Sequence, residues 1–506
     1  MTRLRLVGWG LILTASAAAQ SFTGAILGTV QDSTGAHVPG VAVVVINAGT
    51  NARNEVTTDA AGSYAAQLLP PGIYKVEASA PGFKKFLQDG ITLQVQQQAR
   101  VNILLSVGEV TESVMVSADA ALLETASSTI GKVVDNRRIV NLPLNTRNVY
   151  SLIFLTPGVA GSVGNNYGDM RYAVNGARAR QMDTLVDGVS ASHATVTGFS
   201  GISVFPSVDA IEEFKVMGAN YPAEYGRSMG SVLNVVFKAG TNKLHGSAYE
   251  FLRNSKLDSN NFFDNRRGAL LNSFKRSQYG GTVSGPIKHD RTFFMASFEG
   301  LRERRAASTI FTVPTTLERA GDFSRTLAAN GNLIQVFDPF STRANPAGGF
   351  IRDAMPGNLV PASRQDPVAV NALKYYPAAN TVSNAVTNQN NFATQGSAGV
   401  NLDQWDIRID HILTAKQKIF GRYSKRNTET VPAIFFPKET TIAEGRVIES
   451  DNVHGAVFDY TNTLSPTMIL NARLGFARTL YLYANQGLGF SPSTLGFPKY
   501  LVSCPR

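Results

Sequence analysis

Beyond residue 20 this chain contains no uncharged apolar segment of the ~20 residues that a membrane-spanning helix requires, yet its second half repeatedly alternates apolar and polar residues with the period of a β-strand. In Gln404-Trp405-Asp406-Ile407-Arg408-Ile409-Asp410, the side chains of Trp405, Ile407 and Ile409 share one face, and Gln404, Asp406, Arg408 and Asp410 share the other. The same division recurs from Met468 to Arg478, where Met468, Leu470, Ala472, Leu474 and Phe476 oppose Asn471 and Arg473. Further strands of this kind are expected at 247–253, 278–284, 292–299, 419–425 and 453–460. A soluble sandwich alternates in the same way, so the pattern by itself leaves two architectures open. It does restrict any membrane-embedded form to a barrel, because only a closed sheet or a helix satisfies every backbone donor and acceptor where water is absent.

The N-terminus points to export. Arg3 and Arg5 precede the apolar run Leu6 to Leu13, and Ala17-Ala18-Ala19 follows before Gln20, the pattern of a secretory signal peptide with an A-x-A cleavage site. At 506 residues the chain is long enough for several domains. Its 45 Gly and its many Val, Thr, Phe and Tyr residues favour β structure over a helical bundle. The formal net charge of +10 is spread over scattered pairs such as Arg266-Arg267 and Lys275-Arg276, without the basic face and interleaved aromatics of a nucleic-acid binder. Cys504 is alone, which excludes an intramolecular disulfide and a thiolate metal cluster. The histidines His37, His193, His245, His289, His411 and His454 fall in no metal-binding spacing, and neither a cofactor motif nor a catalytic residue is expected.

From Gly24 to Val107, short apolar stretches alternate with turn residues at the spacing of an all-β sandwich, with strands expected at 25–30, 41–47, 53–58, 63–68, 73–78, 83–93 and 100–107. Asp32-Ser33-Thr34-Gly35, Pro39-Gly40, Asp59 to Gly62, Pro70-Pro71-Gly72 and Pro81-Gly82 supply the turns. The residues Gly28-Thr29-Val30, Pro39-Gly40-Val41, Thr58-Asp59, Gly62-Ser63-Tyr64 and Leu69 to Tyr74 resemble the carboxypeptidase regulatory-like domain. That resemblance implies a transthyretin-like sandwich without peptidase chemistry, and His37 reads as an exposed turn residue.

A connector, 108–124, follows. Its Val114, Met115 and Val116 are β-prone and flanked by small polar residues, so the segment could add as a strand to the edge of another protein's sheet. A last sandwich strand or an ordinary linker has the same appearance. Next come Val140-Asn141-Leu142-Pro143-Leu144-Asn145, Thr156-Pro157-Gly158, Val174-Asn175-Gly176, Thr184 to Val189, Val208 to Val216 and Ala223-Glu224-Tyr225-Gly226 before Gly230 to Val236. In this order they resemble the plug domain of TonB-dependent receptors. The resemblance implies an α+β plug over 125–238. It makes Val114, Met115, Val116, Ser117 and Ala118 similar to a TonB box, the segment grasped by the energy-coupling protein TonB. Two Gly-, Ser- and Asn-rich stretches, 161–168 and 190–201, read as loops. Asn165, Asn166, Tyr167, His193 and Phe199 within them are candidate ligand-facing residues, although simple flexible connections read identically. Gly226-Arg227-Ser228-Met229-Gly230 fits the nucleophile elbow of a serine hydrolase, but that motif needs a strand before it and a helix after it, and here a β-prone run follows.

The remaining residues, 239–506, read as the beginning of an antiparallel membrane barrel. Between Arg305 and Asn401 the alternation gives way to Pro-, Gly-, Asn- and Thr-rich sequence, expected to form a long external loop near 306–401 that resembles the large loop of Oar-like receptors. The chain shows fewer strand signals than family barrels use, so a fragment or truncated barrel is expected. The whole is therefore mainly β: signal peptide 1–19, sandwich 20–107, connector, plug and incomplete barrel. The resemblance implies TonB-driven uptake of an unidentified ligand, with TonB, the external ligand and outer-membrane lipid as partners, no nucleic acid and no enzymatic activity. A non-transporting adhesion or surface protein of the same architecture is the alternative.

Overall fold

The computed structural model describes residues 22–500 apart from 109–112, 118–130, 145–146, 164–169, 179–180, 195–199, 219, 227, 229, 267–270, 437–445, 466–467, 486, 488 and 499. The expected signal peptide lies outside the described residues. The first unit is a sandwich of two sheets. One carries β1 (Gly24–Asp32) and β4 (Ser63–Leu69), the other β2 (Ala42–Asn47), β3 (Arg53–Thr57), β5 (Gly72–Ser79) and β6 (Lys85–Leu93). The last expected strand is divided into β7 (Gln98–Arg100) and β8 (Ile103–Leu105), both parallel to β1. Alternate residues of the strands, among them Ile26, Val43, Val45, Tyr74, Val76, Leu93 and Ile103, fill the core between the sheets. The turns work as their chemistry requires: Asp32 Oδ1 accepts from the amides of Thr34 and Ala36, and Asp59 Oδ1 from those of Ala61 and Ser63. Gly28 is needed for close approach, because a Cβ there would sit 1.9 Å from the Val101 carbonyl oxygen.

The connector is not free. Its β9 (Ser113–Ser117) pairs in parallel with β6, giving a five-stranded sheet in the order β3-β2-β5-β6-β9. The plug follows as a second five-stranded sheet, ordered β10-β17-β18-β13-β14, built from β10 (Gly131–Asp135), β13 (Met182–Val186), β14 (Val189–Ser190), β17 (Ile211–Met217) and β18 (Ser231–Phe237). Two short hairpins flank it: β11 (Val159–Val163) with β12 (Met170–Val174), and β15 (Ser192–Ala194) with β16 (Ser200–Ile202). A helix, Asn136–Asn141, and a 3-10 segment, Val149–Leu155, cover one face of the sheet through Ile139, Val149, Tyr150, Leu152 and Ile153. The expected loops are therefore partly strand, at 161–163, 192–194 and 200–201, because hairpin pairing overrides the local preference of Gly and Ser for irregular backbone.

The third unit is a seven-stranded antiparallel meander of β19 (His245–Asn254), β20 (Phe274–Lys288), β21 (Thr292–Phe311), β24 (Phe392–Ile412), β25 (Gln417–Val431), β26 (Val447–Ser465) and β27 (Met468–Asn485). Its polarity is inverted relative to a soluble protein. Trp405 is 54% and Leu474 72% exposed, with Ile407, Ile409, Phe458 and Phe476 alongside, whereas Gln404, Asp406, Arg408, Arg422, Ser424 and Arg426 are buried. The exposed apolar belt and covered polar face are those of a sheet that meets lipid outside and protein inside. Short connections at 289–291 and 413–416 lie at one end and long ones at 255–273, 312–391 and 432–446 at the other, which places the long ones outside the cell and the short ones in the periplasm.

The long external loop expected near 306–401 spans 312–391 and is folded. β21 and β24 remain paired to Phe311 and Phe392, and the intervening residues fold around their own side chains. A capping box between Thr315 and Glu318 starts the helix Thr316–Arg319, and Asp366 caps Pro367–Leu373. β22 (Arg343–Ala344) and β23 (Phe350–Ile351) form a small hairpin. Buried Asn358 donates to the carbonyls of Phe323 and Ile334 and accepts from the amide of Val336, while Arg319 donates to the carbonyls of Pro314, Leu373, Tyr376 and Pro377. Such side-chain to backbone bonds satisfy a segment without regular ladders and leave no hydrophobic periodicity in the sequence.

Leu474→Arg places a charge on the lipid face opposite Phe458. A loss of about 2–4 kcal/mol in folding stability is expected in bilayers if the site lies near the midplane, and urea unfolding into lipid vesicles measures it. Lys374→Ala, on the external segment, is expected to change stability by less than about 0.5 kcal/mol.

Candidate functional site

The plug and the sheet wall are separate units of the chain, held against each other by side-chain contacts. The contacts between plug and sheet wall are therefore the functional centre. The strongest is a buried charge cluster. The β13–β14 hairpin turns through Asp187 (φ 48°) and Gly188 (φ 74°), a two-residue loop with both φ values positive. That turn drives the Asp187 side chain, 0% exposed, toward the wall. Its Oδ2 accepts from Arg422 Nε at 2.6 Å, and its Oδ1 accepts from Arg408 Nη1 at 3.4 Å and from the Phe237 amide at 3.1 Å. Arg408 also donates through Nε and Nη2 to both oxygens of Asp410, at 2.9 Å each, so two carboxylates balance two guanidiniums. Each guanidinium lies on a ring, Arg408 on Phe420 at 4.4 Å and Arg422 on Phe237 at 4.6 Å.

Farther toward the external end, Arg147 of the plug pairs with Asp209 and lies over Tyr249 and Phe251 of the wall, while Tyr249 and Gln278 both donate to Glu299. Arg426 covers the plug residue Phe205 at 4.4 Å. The plug therefore meets the wall through charges and aromatic faces as well as through apolar contacts, such as Met295 of the wall packed into the plug core.

From below, the sandwich wedges against the other face of the plug sheet. Its turn at 94–97 places the Val95 amide on Glu213 Oε1 and the Gln96 amide group on Tyr225 Oη. Phe22 and Val95 join Val236, Phe420 and Val457 in an apolar cluster shared by all three units. Burial pushes the Glu213 carboxyl up to about 8, against the lowering effect of the Val95 bond, with neighbouring Glu212 adding to the rise. At the short-turn end, Asp290 accepts from Asn51 at 2.8 Å and from Asn242 at 2.6 Å, and Lys418 donates to Asn54 at 3.0 Å.

The candidate residues read from the sequence are dispersed. Val114, Met115, Val116 and Ser117 lie in β9 at the sandwich edge, with Met115 exposed, and Ala118 falls outside the described residues. Asn165, Asn166, Tyr167 and Phe199 also fall outside them, and His193 lies in β15. Ser228 closes the turn before β18, its Oγ accepting from the Ser231 amide at 3.0 Å and bonding the Gln181 carbonyl, and a strand follows where a nucleophile elbow needs a helix. Asp187 belongs to a quoted plug motif, but its role was missed. The available signal was an Asp-Gly turn together with isolated arginines on the inward face of alternating strands.

An inward-polar, outward-apolar sheet packed on a globular filler defines a plugged outer-membrane barrel protein. Comparison with known proteins agrees. Residues 236–504 match the outer membrane beta barrel domain, residues 121–232 the TonB-dependent receptor plug domain and residues 25–106 the carboxypeptidase regulatory-like domain. The chain is 28% identical over 392 residues to the TonB-dependent transporter Oar of Myxococcus xanthus, covering 74% of this chain and 33% of that protein, so it spans about a third of that relative's length. Solved structures with similarity include the outer membrane transporter YddB from Escherichia coli (TM-score 0.41, 13% identity, covering 69% of this chain and 38% of that one). The siderophore receptor PirA from Acinetobacter baumannii is another (TM-score 0.36, 15% identity, 70% and 45%). The chain belongs to the TonB-dependent receptor family of the outer membrane, with the sandwich on the periplasmic side.

Asp187→Ala leaves the Arg422 guanidinium buried and unpaired, and a loss of about 3–5 kcal/mol is expected, read as a lower unfolding midpoint and greater protease access to the plug. The Glu213 carboxyl has a higher pKa folded than unfolded, so its contribution to docking is fully present below about pH 4.5 and is lost as pH rises toward about 8. The protection of the Val95 amide, taken relative to its intrinsic exchange rate at each pH, is expected to fall across that window, and Glu213→Gln to abolish the fall.

Proposed function

We propose that this protein takes part in uptake of an external ligand across the outer membrane, with TonB delivering the force through β9. The observation that carries this reading is the position of β9. It is the terminal strand of its sheet, paired on one side with β6 and without a strand on its other side among the described residues, and it directly precedes the segment leading into the plug. An open strand edge is a template for an added strand, whose main-chain bonds give affinity with little demand on sequence. Force applied there reaches the plug through the backbone and works against the Asp187 cluster. The ligand meets the protein from the external end, where the plug hairpins and the folded 312–391 segment stand. Asn165, Asn166, Tyr167, His193 and Phe199 remain the plug residues proposed to face it.

A second reading, a surface protein that adheres without transporting, draws on the same external segment, whose Phe340 and Phe350 are strongly exposed. The two readings part at β9. Consecutive strand amides point to opposite edges, so the double variant Val114→Pro, Met115→Pro removes the open-edge donor whichever residue supplies it. For the uptake reading, the full chain in detergent is expected to bind a TonB C-terminal domain and the double variant to lose at least about tenfold in affinity, with the circular dichroism of the β structure unchanged. Equal binding by both proteins, or none by the unaltered chain, removes TonB coupling and leaves the adhesion reading.

A further inference from the structure

The short-turn end of the wall does not fit flush against the sandwich. Between them, and under the plug, lies a cavity of about 670 Å³, within the range of small-molecule sites. The sandwich contributes the amide-rich loop 47–54 and the segment 70–74, the plug contributes 236–243, and the wall contributes inward side chains near the periplasmic ends of its strands. This lining is neither uniformly apolar nor balanced in charge.

Its carboxylates are already engaged. Asp410 takes two bonds from Arg408 and Asp459 pairs with Arg473 at 2.8 Å, while burial holds the Glu212 carboxyl above the usual carboxylate range and so disfavours its charged form. Three lysines in the same lining, Lys243, Lys416 and Lys418, have no carboxylate within ion-pair distance among the described residues. Lys418 matters most because it is the least exposed of the three. Its Nζ donates to Asn54 Oδ1 at 3.0 Å, one bond from a group with three donors. Close by are apolar side chains that no core covers: Ile73, which points away from the sandwich interior and is 54% exposed, with Ile419 and Ile469 of the wall.

We infer that this junction cavity binds an acidic small molecule with an apolar body, its anionic group on Lys418 and its body against Ile73. The site lies at the opposite end of the wall from the external loops, so it is distinct from the uptake site and is filled from the periplasm or from the pore. An anion there completes the charge balance of the lining, and the same cation without an anion is left partly desolvated.

The test uses the full chain in lipid nanodiscs and dansyl-glutamate, an amphiphilic dicarboxylate, with fluorescence anisotropy as readout. Saturable binding is expected, weakened at least about tenfold by Lys418→Gln, the loss of one charge-assisted hydrogen bond, and retained in Lys418→Arg. Lys374→Gln, on the external segment, is expected to bind normally. Ile73→Ser changes a side chain outside every core and is expected to weaken binding several-fold without touching the fold. Absence of saturable binding, unchanged affinity in Lys418→Gln or in Ile73→Ser, or equal binding of the uncharged dansyl-glutamine amide overturns the inference.

Discussion

Backbone amides and carbonyls in lipid have nothing to bond except one another, and this single requirement organises the protein. It forces the C-terminal half into long strands paired with their neighbours along the whole meander from β19 to β27, which turn Trp405, Leu474 and Phe476 outward and leave Asp406, Arg408, Arg422 and Arg426 on the inside. Those inward charges then need counterparts, and the plug supplies them. Asp187 is the most buried carboxylate in the contact because the hairpin that carries it inserts between two guanidiniums. An apolar filler would strand Arg422, because Asp410 of the wall serves Arg408 alone, while a plug carrying only charge would have no core of its own. The observed plug resolves this by keeping an apolar centre around Phe214, Val216, Leu233 and Val235, with Asp187 at the hairpin tip and further buried polar residues such as Asn234 and Lys215 alternating with it in the sheet.

Charged contacts also suit the plug movement that the proposed uptake requires. Their strength depends on geometry and on the exclusion of water, so a small displacement that admits water weakens many of them together. An apolar seam of similar area gives way more gradually. The sandwich adds a second restraint from below, through Val95 on Glu213 and Gln96 on Tyr225. Because β9 belongs to the sandwich sheet and precedes the plug, the same short stretch joins the element that holds the plug to the plug itself. Movement of one is therefore mechanically tied to movement of the other.

Much of this architecture was legible in the residues. Turn chemistry at Asp32, Asp59 and Pro39-Gly40 located the sandwich strands, and the period-two pattern at 404–410 and 468–478 identified both the barrel strands and the face each residue takes. What was not legible was long-range pairing. Val114 to Val116 are visibly β-prone, but nothing local says that their partner is Lys85 to Asp89, because parallel edge pairing leaves no turn between the strands. The internal order of the external segment was not legible for a different reason: Asn358 and Arg319 organise it by bonding to carbonyls and amides far along the chain, and such residues look the same in a coil. The Asp187 cluster combines both difficulties, a plug turn and two strands from another unit.

The arrangement of residues 312–391 bears on recognition. Asn358 and Arg319 tie its crossing strands of chain together, and Phe311 and Phe392 each meet Phe436 edge to face at its base, with ring centroids 5.5 and 5.8 Å apart. A roof whose shape is set before any guest arrives gives up little freedom when it is touched, so less of the gross attraction is consumed in ordering the host. Under the proposed uptake, such a surface would select by outline, turning close variants of a fitting guest away at the rim rather than accommodating them.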